Sequence, residues 1–200
     1  MGKVNVIIDG RTVEVEKGAT VLEAAKTAGI YIPTLCYLKD INKIGACRVC
    51  LVEIKGARGL QASCVYPVSE GMEVYTNTET VREARKAVVE LLISNHPQDC
   101  LVCLRNQNCE LQTLSRDLGI TEVRYTGRMT DVDKDQSSPS IVRDPNKCVL
   151  CRRCIAVCSQ IQGVDILGAA GRGFDTVVAP AWQAEIGTTA CTNCGQCVLV

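Results

Sequence analysis

The chain opens on strict alternation of apolar and polar residues. Val4, Val6 and Ile8 lie on one side of the turn pair Asp9-Gly10, and Val13 and Val15 continue the alternation on the other. That pattern predicts a β-hairpin. The period then changes to that of a helix: Val21, Leu22, Ala25 and Ala28 share a face, Thr20 and Glu23 form a capping box, and Gly29 ends the run. A hairpin followed by a helix is the opening of a β-grasp domain, and strand-like runs from Arg48 to Ile54 and from Met72 to Thr76 are expected to complete its sheet. A second capping-box pattern, Thr80 with Glu83, precedes Val81, Ala84, Val88, Leu91 and Leu92 at helical spacing as far as Ser94. This helix leads the chain to His96.

Further along, periodicity fades. The stretch from Gly127 to Pro139 is polar and turn-rich, which predicts a linker. Beyond it, Cys148 to Cys158 and Cys191 to Cys197 carry similar cysteine runs, as in an internal duplication. The resulting division is α+β: residues 1–78 a β-grasp domain, 79–125 a small helical domain, 126–139 a linker, and 140–200 a duplicated cysteine-rich domain.

Composition explains what replaces a large apolar core. Aromatic residues make up 4% of the chain, with one Phe and one Trp, while cysteines number 14. The N-terminus lacks the charge, apolar run and small-residue site of a signal peptide, so a reducing, cytoplasmic setting is expected, where dense cysteines are metal ligands rather than disulfides. No apolar window is long enough to span a membrane. The 22 basic and 22 acidic residues cancel, which removes the footprint of a nucleic-acid binder. Gly171 and Gly173 complete no phosphate-binding loop. Trp182 and Tyr125 are expected to pack. Lys147, Arg152 and Arg153 form a basic group that could receive an acidic electron carrier.

The ligands fall into four sets. Cys36, Cys47, Cys50 and Cys64 combine a CxxC pair with two separate cysteines, which suits a [2Fe-2S] centre. A structural zinc needs the same ligand number. Gly45 and Ala46 allow the backbone to approach the cluster and direct N–H groups at its sulfurs. The second set is His96, Cys100, Cys103 and Cys109. Only three cysteines lie between Cys64 and Cys148, and the chain's single histidine sits shortly before them. A [4Fe-4S] centre with one imidazole ligand is expected, with zinc again the competitor. The third and fourth sets interlock. Cys148, Cys151, Cys154 and Cys158 follow C-x2-C-x2-C-x3-C, the bacterial ferredoxin run whose fourth cysteine serves the other cluster. Cys158 therefore joins Cys191, Cys194 and Cys197 around one [4Fe-4S], and Cys148, Cys151 and Cys154 hold another, whose fourth ligand is expected past Val200. The total is one [2Fe-2S] and three [4Fe-4S].

In order of sites, and in phrases such as IPTLCYL, GACRVCLVEI, RDPNKCVLCRRC and CTNCGQC, the whole chain resembles the N-terminal iron-sulfur region of the large subunit of multimeric NAD(P)-linked, electron-bifurcating [FeFe]-hydrogenases. It is also similar to NAD-linked formate dehydrogenases. The first two domains resemble the large iron-sulfur subunit of respiratory complex I, from which the second triplet at Cys191, Cys194 and Cys197 is expected to set it apart. The resemblance implies an electron-transfer module of an oxidoreductase. Its partners would be a flavin- and NAD(P)-binding iron-sulfur subunit, a small 2Fe-2S subunit and, as a carrier, ferredoxin. No complete catalytic site is expected in these residues. A zinc-stapled interaction protein is the reading from a different class.

Overall fold

The computed structural model describes residues 2–200. Two compact units are assembled from interleaved stretches of chain. The first takes the stretch up to Tyr37 with Lys43–Glu90 and Gln107–Glu122; the second takes Leu38–Asn42, Leu91–Asn106 and Val123–Val200.

The first unit is mixed α/β. Strands β1 (Lys3–Ile8) and β2 (Arg11–Glu16) form the expected hairpin, with Val6 opposite Val13. Asp9 and Gly10 both take positive φ at its tip, as a tight two-residue hairpin requires. Helix α1 (Val21–Thr27) starts at the capping box read from the sequence: Thr20 and Glu23 exchange side-chain-to-backbone hydrogen bonds. Strands β3 (Leu51–Ile54), β4 (Gln61–Ala62) and β5 (Met72–Tyr75) complete a five-stranded sheet of order β2-β1-β5-β3-β4, in which β5 runs parallel to β1. Asp9 ties the hairpin tip to the end of β5, its carboxylate accepting from the Thr76 amide at 2.8 Å and hydroxyl at 2.5 Å. The core joins Val6, Ile8, Val21, Val52 and Val74 to two cysteines, Cys50 and Cys64. Each buried Val or Ile contributes on the order of 1.5–3 kcal/mol.

Two elements differ in detail from their sequence patterns. Strand β3 begins at Leu51 rather than Arg48, because Arg48 turns left-handed (φ 58°) between Cys47 and Cys50. Helix α2 (Glu79–Ile93) begins ahead of Thr80: Thr78 Oγ1 accepts from the Val81 amide, and the same hydroxyl donates to Glu53. The buried stripe of α2 is Val81, Arg85, Val89 and Glu90, whereas Leu91 is half exposed. Helix α3 (Glu110–Asp117), which periodicity does not single out, starts immediately after Cys109 and buries Leu111 and Leu114.

Little regular structure supports the second unit. It contains the hairpin β6 (Gly168–Ala170) and β7 (Val177–Ala179), with short helices α4 (Arg153–Ala156) and α5 (Gln196–Leu199), α4 continuing into a π-helical turn over Val157–Ile161. The end of the polar stretch expected to act as a linker is anchored here. Asp135 bridges Arg143 through paired backbone hydrogen bonds, and its buried carboxylate accepts from Ser137 and from the Ile186 amide at 2.8 Å. Burial alone would raise the Asp135 pKa, but these donors and the Arg143 charge hold it below the ordinary carboxylate value. Polarity in this stretch therefore serves internal hydrogen bonds as well as solvent. Trp182, expected to pack, is instead fully exposed on a left-handed turn, and Tyr125 is 39% exposed. Among the described residues, no helix is long and apolar enough to cross a membrane.

Candidate metal centres

The first quartet is assembled from three places in the first unit. Cys36 follows the segment after α1, Cys47 and Cys50 precede β3, and Cys64 follows β4. Cys36, Cys50 and Cys64 are at most 1% exposed. The four thiols share hydrogen bonds: Cys36 with Cys47 and with Cys64, and Cys50 with Cys64. These shared hydrogen bonds draw Cys36 and Cys50 below the ordinary thiol value and push Cys47 and Cys64 above it. The Ala46 and Cys47 amides also donate to the Cys36 sulfur, the role expected of small residues there. Gly45 makes that approach possible: its φ is +62°, and a Cβ on it would lie 3.3 Å from Val65.

Both triplets are built on one repeated turn. Leu150 (φ 55°) and Asn193 (φ 55°) are left-handed, as are Arg152 (φ 61°) and Gly195 (φ 73°), at matching places in the two runs. The Leu150 amide donates to Cys148 Sγ and the Asn193 amide to Cys191 Sγ, each at 3.4 Å, and α4 and α5 follow at the same offset. The duplication therefore holds in the backbone as well as in the cysteines. A left-handed L-residue costs roughly 1–2 kcal/mol, and three of these four positions are not glycine. What the turn provides is an N–H group directed at the first sulfur of each run.

The thiols of the two runs act on one another electrostatically. Cys154 is pushed up to about 12 by burial first, then by Cys148 and Cys151, with Cys197 also contributing. Cys197 is raised by burial, then by Cys191 and Cys194, with Cys158 also contributing. Cys158, Cys191, Cys194 and Cys197 line one cavity, closed by apolar side chains including Ile141, Leu167 and Ile186. Among the described residues, no cysteine forms a disulfide.

The second set divides between the units: His96, Cys100 and Cys103 belong to the second, Cys109 to the first. The His96 Nδ1 lies 2.8 Å from the Pro97 carbonyl, which can only accept. A neutral ring bound this way donates from Nδ1 and leaves Nε2 for a metal. Cys100 and Cys103 flank a 3₁₀ turn with no left-handed residue. Lys147, part of the basic group, is paired with Asp99 at 3.2 Å. Among the described residues, no three His, Cys, Asp or Glu side chains form a group that could hold a single metal ion.

Three family profiles match in sequence order: the 2Fe-2S iron-sulfur cluster binding domain over residues 2–79, the NADH-ubiquinone oxidoreductase-G iron-sulfur binding region over 85–124, and the 4Fe-4S dicluster domain over 140–200. The structure matches a chain in the crystal structure of an NAD+-reducing [NiFe]-hydrogenase in the H2-reduced state with a TM-score of 0.87 and 32% identity, covering 94% of this chain and 80% of that one. The chain belongs to the iron-sulfur electron-transfer subunits of NAD(P)-linked hydrogenase-like complexes.

Within that family it is 49% identical, over its full length, to the NADP-reducing hydrogenase subunit HndD of Solidesulfovibrio fructosivorans, and 39% identical over 98% of its length to an NADH-quinone oxidoreductase subunit of Rhizobium meliloti. It spans 35% and 23% of those relatives. The solved relative is an NAD+-reducing [NiFe]-hydrogenase.

Proposed function

We propose that the chain relays electrons between a flavin- and NAD(P)-binding partner subunit and a catalytic site, in a cytoplasmic NAD(P)-linked hydrogenase complex that also contains a small 2Fe-2S subunit. Residues 1–78 would hold a [2Fe-2S] on Cys36, Cys47, Cys50 and Cys64, in a β-grasp domain. Residues 79–125 would hold a [4Fe-4S] on His96, Cys100, Cys103 and Cys109. Residues 140–200 would hold a [4Fe-4S] on Cys158, Cys191, Cys194 and Cys197, and another served by Cys148, Cys151 and Cys154. When bound, the clusters supply one-electron transfer; the chain's own groups position sulfur, exclude water and direct N–H groups at the sulfurs, which raises the reduction potential.

The observation that carries this reading is the first quartet, where four cysteines from three stretches of chain come together through shared thiol hydrogen bonds, three of them at most 1% exposed. The hydrogenase assignment draws on the 49% identity to a hydrogenase subunit, against 37–39% for the quinone- and Fe(3+)-oxidoreductase subunits. The test is anaerobic purification followed by reduction with dithionite. A brown protein that bleaches and develops low-temperature EPR signals is expected. A colourless, zinc-loaded protein overturns the reading.

A further inference from the structure

The buried face of α2 carries a cation to which the electron relay as described gives no role. Arg85 is 6% exposed, between Val81 and Val89, which are both fully buried. Its Nη2 donates to the Leu51 carbonyl at 2.7 Å, one residue past Cys50. Its Nε is buried without a hydrogen-bond partner, and among the described residues no carboxylate forms an ion pair with it. The groups that face it electrostatically are Cys50 first, then Asp9 and Tyr31. Asp9 already accepts two hydrogen bonds from Thr76. A guanidinium stays charged in a protein, and desolvating it is costly unless a negative group offsets the cost. Burial lowers the Arg85 pKa, and Cys50 is the largest opposing influence.

We propose that Arg85 is a positioning residue for the [2Fe-2S] centre, its fixed positive charge behind Cys50 holding the reduction potential up while its bond to Leu51 fixes the backbone next to that ligand. The proposal rests on the [2Fe-2S] reading of Cys36, Cys47, Cys50 and Cys64. Reduction adds one negative charge to the four-thiolate centre. A nearby buried cation favours the reduced state, and at low effective dielectric its reach covers a neighbouring ligand. A surface lysine would be screened by salt; Arg85 is shielded from it.

The test is an EPR-monitored redox titration of the [2Fe-2S] signal in the wild-type protein, in R85Q and in R85K. R85Q keeps a donor for the Leu51 carbonyl and removes the charge, whereas R85K keeps the charge and loses the planar fork. The expected result is a reduced-to-oxidised ratio at fixed applied potential about tenfold lower in R85Q, a fall of ~59 mV for one electron, with R85K close to wild type. An unchanged potential in R85Q, or equal falls in both variants, overturns the proposal. So does an R85Q protein that fails to fold or load while R85K does both, because the role is then structural. Absence of the [2Fe-2S] signal from the wild-type protein would instead defeat the reading beneath it.

Discussion

The cysteines of the first quartet and those of the paired triplets are held in place by different means. Around the quartet, a five-stranded sheet and α1 bury an apolar core that includes Cys50 and Cys64 themselves. The triplets sit on turns between four-residue helices, their backbone left-handed at Leu150, Arg152 and Asn193, with Cys194 exposed and the rest of the two runs half-buried. In the first region the apolar core alone brings Cys50 and Cys64 together, so on the proposed reading the metal would meet a prebuilt site. In the second, strained turns and the polar network around Asp135 act beside a smaller apolar set that includes Ile141, Val157, Leu167 and Ile186, so on the same reading the cluster would do more of the organising. Binding free energy there is folding free energy.

Removing the clusters should separate the two regions most strongly. After anaerobic chelation, amide hydrogen exchange is expected to accelerate by ~100-fold or more across residues 140–200, as for loss of a saturating ligand, while β1 and β5 keep their protection. Equal loss in both regions would break the comparison. Next in size, Asp135→Asn should destabilise the second unit by about 1–3 kcal/mol, since a charged acceptor of buried donors is lost; denaturant midpoints would measure it. The sign with pH follows from the lowered pKa. The Asp135 contribution is complete above the unfolded value near ~3.9, and it is lost as pH falls through the still lower folded value.

Smaller effects sharpen the contrast in backbone strain. Gly45→Ala should cost the first unit roughly 1–2 kcal/mol, because alanine resists φ near +62° and its Cβ meets Val65. Leu150→Gly relieves the same kind of strain and should leave the second unit unchanged or up to ~1 kcal/mol more stable. Thr20→Ala removes the α1 capping box at about 1 kcal/mol, read as a shift in the thermal midpoint of the first unit.

How far the sequence can be read depends on the range of the interaction. The hairpin at Asp9-Gly10 and the capping box at Thr20 are local, and the structure carries both. The start of α2 is not local: Thr78 and Thr80 both precede a helical run, and Thr78 caps it while also donating to Glu53 on β3. Trp182 departs from the expectation that an aromatic residue seeks a core, because its segment has little core to offer. The left-handed Leu150 and Arg152 have no propensity signal, since their strain is justified only by the sulfurs that their turns serve. Arg85 does leave a trace, an arginine in i+4 register with Val81 and Val89, but only burial shows that it faces inward.

The central claim, that one chain holds a two-iron centre in a prebuilt core and four-iron centres elsewhere, is tested most directly by Mössbauer spectroscopy of the protein loaded with ⁵⁷Fe. The account expects a minor component, about one-seventh of the iron, with the signature of a [2Fe-2S] centre, and the remainder as [4Fe-4S]. The minor component should vanish in Cys50→Ser while the rest persists. A single cluster type throughout, or loss of every component together in Cys50→Ser, would contradict it.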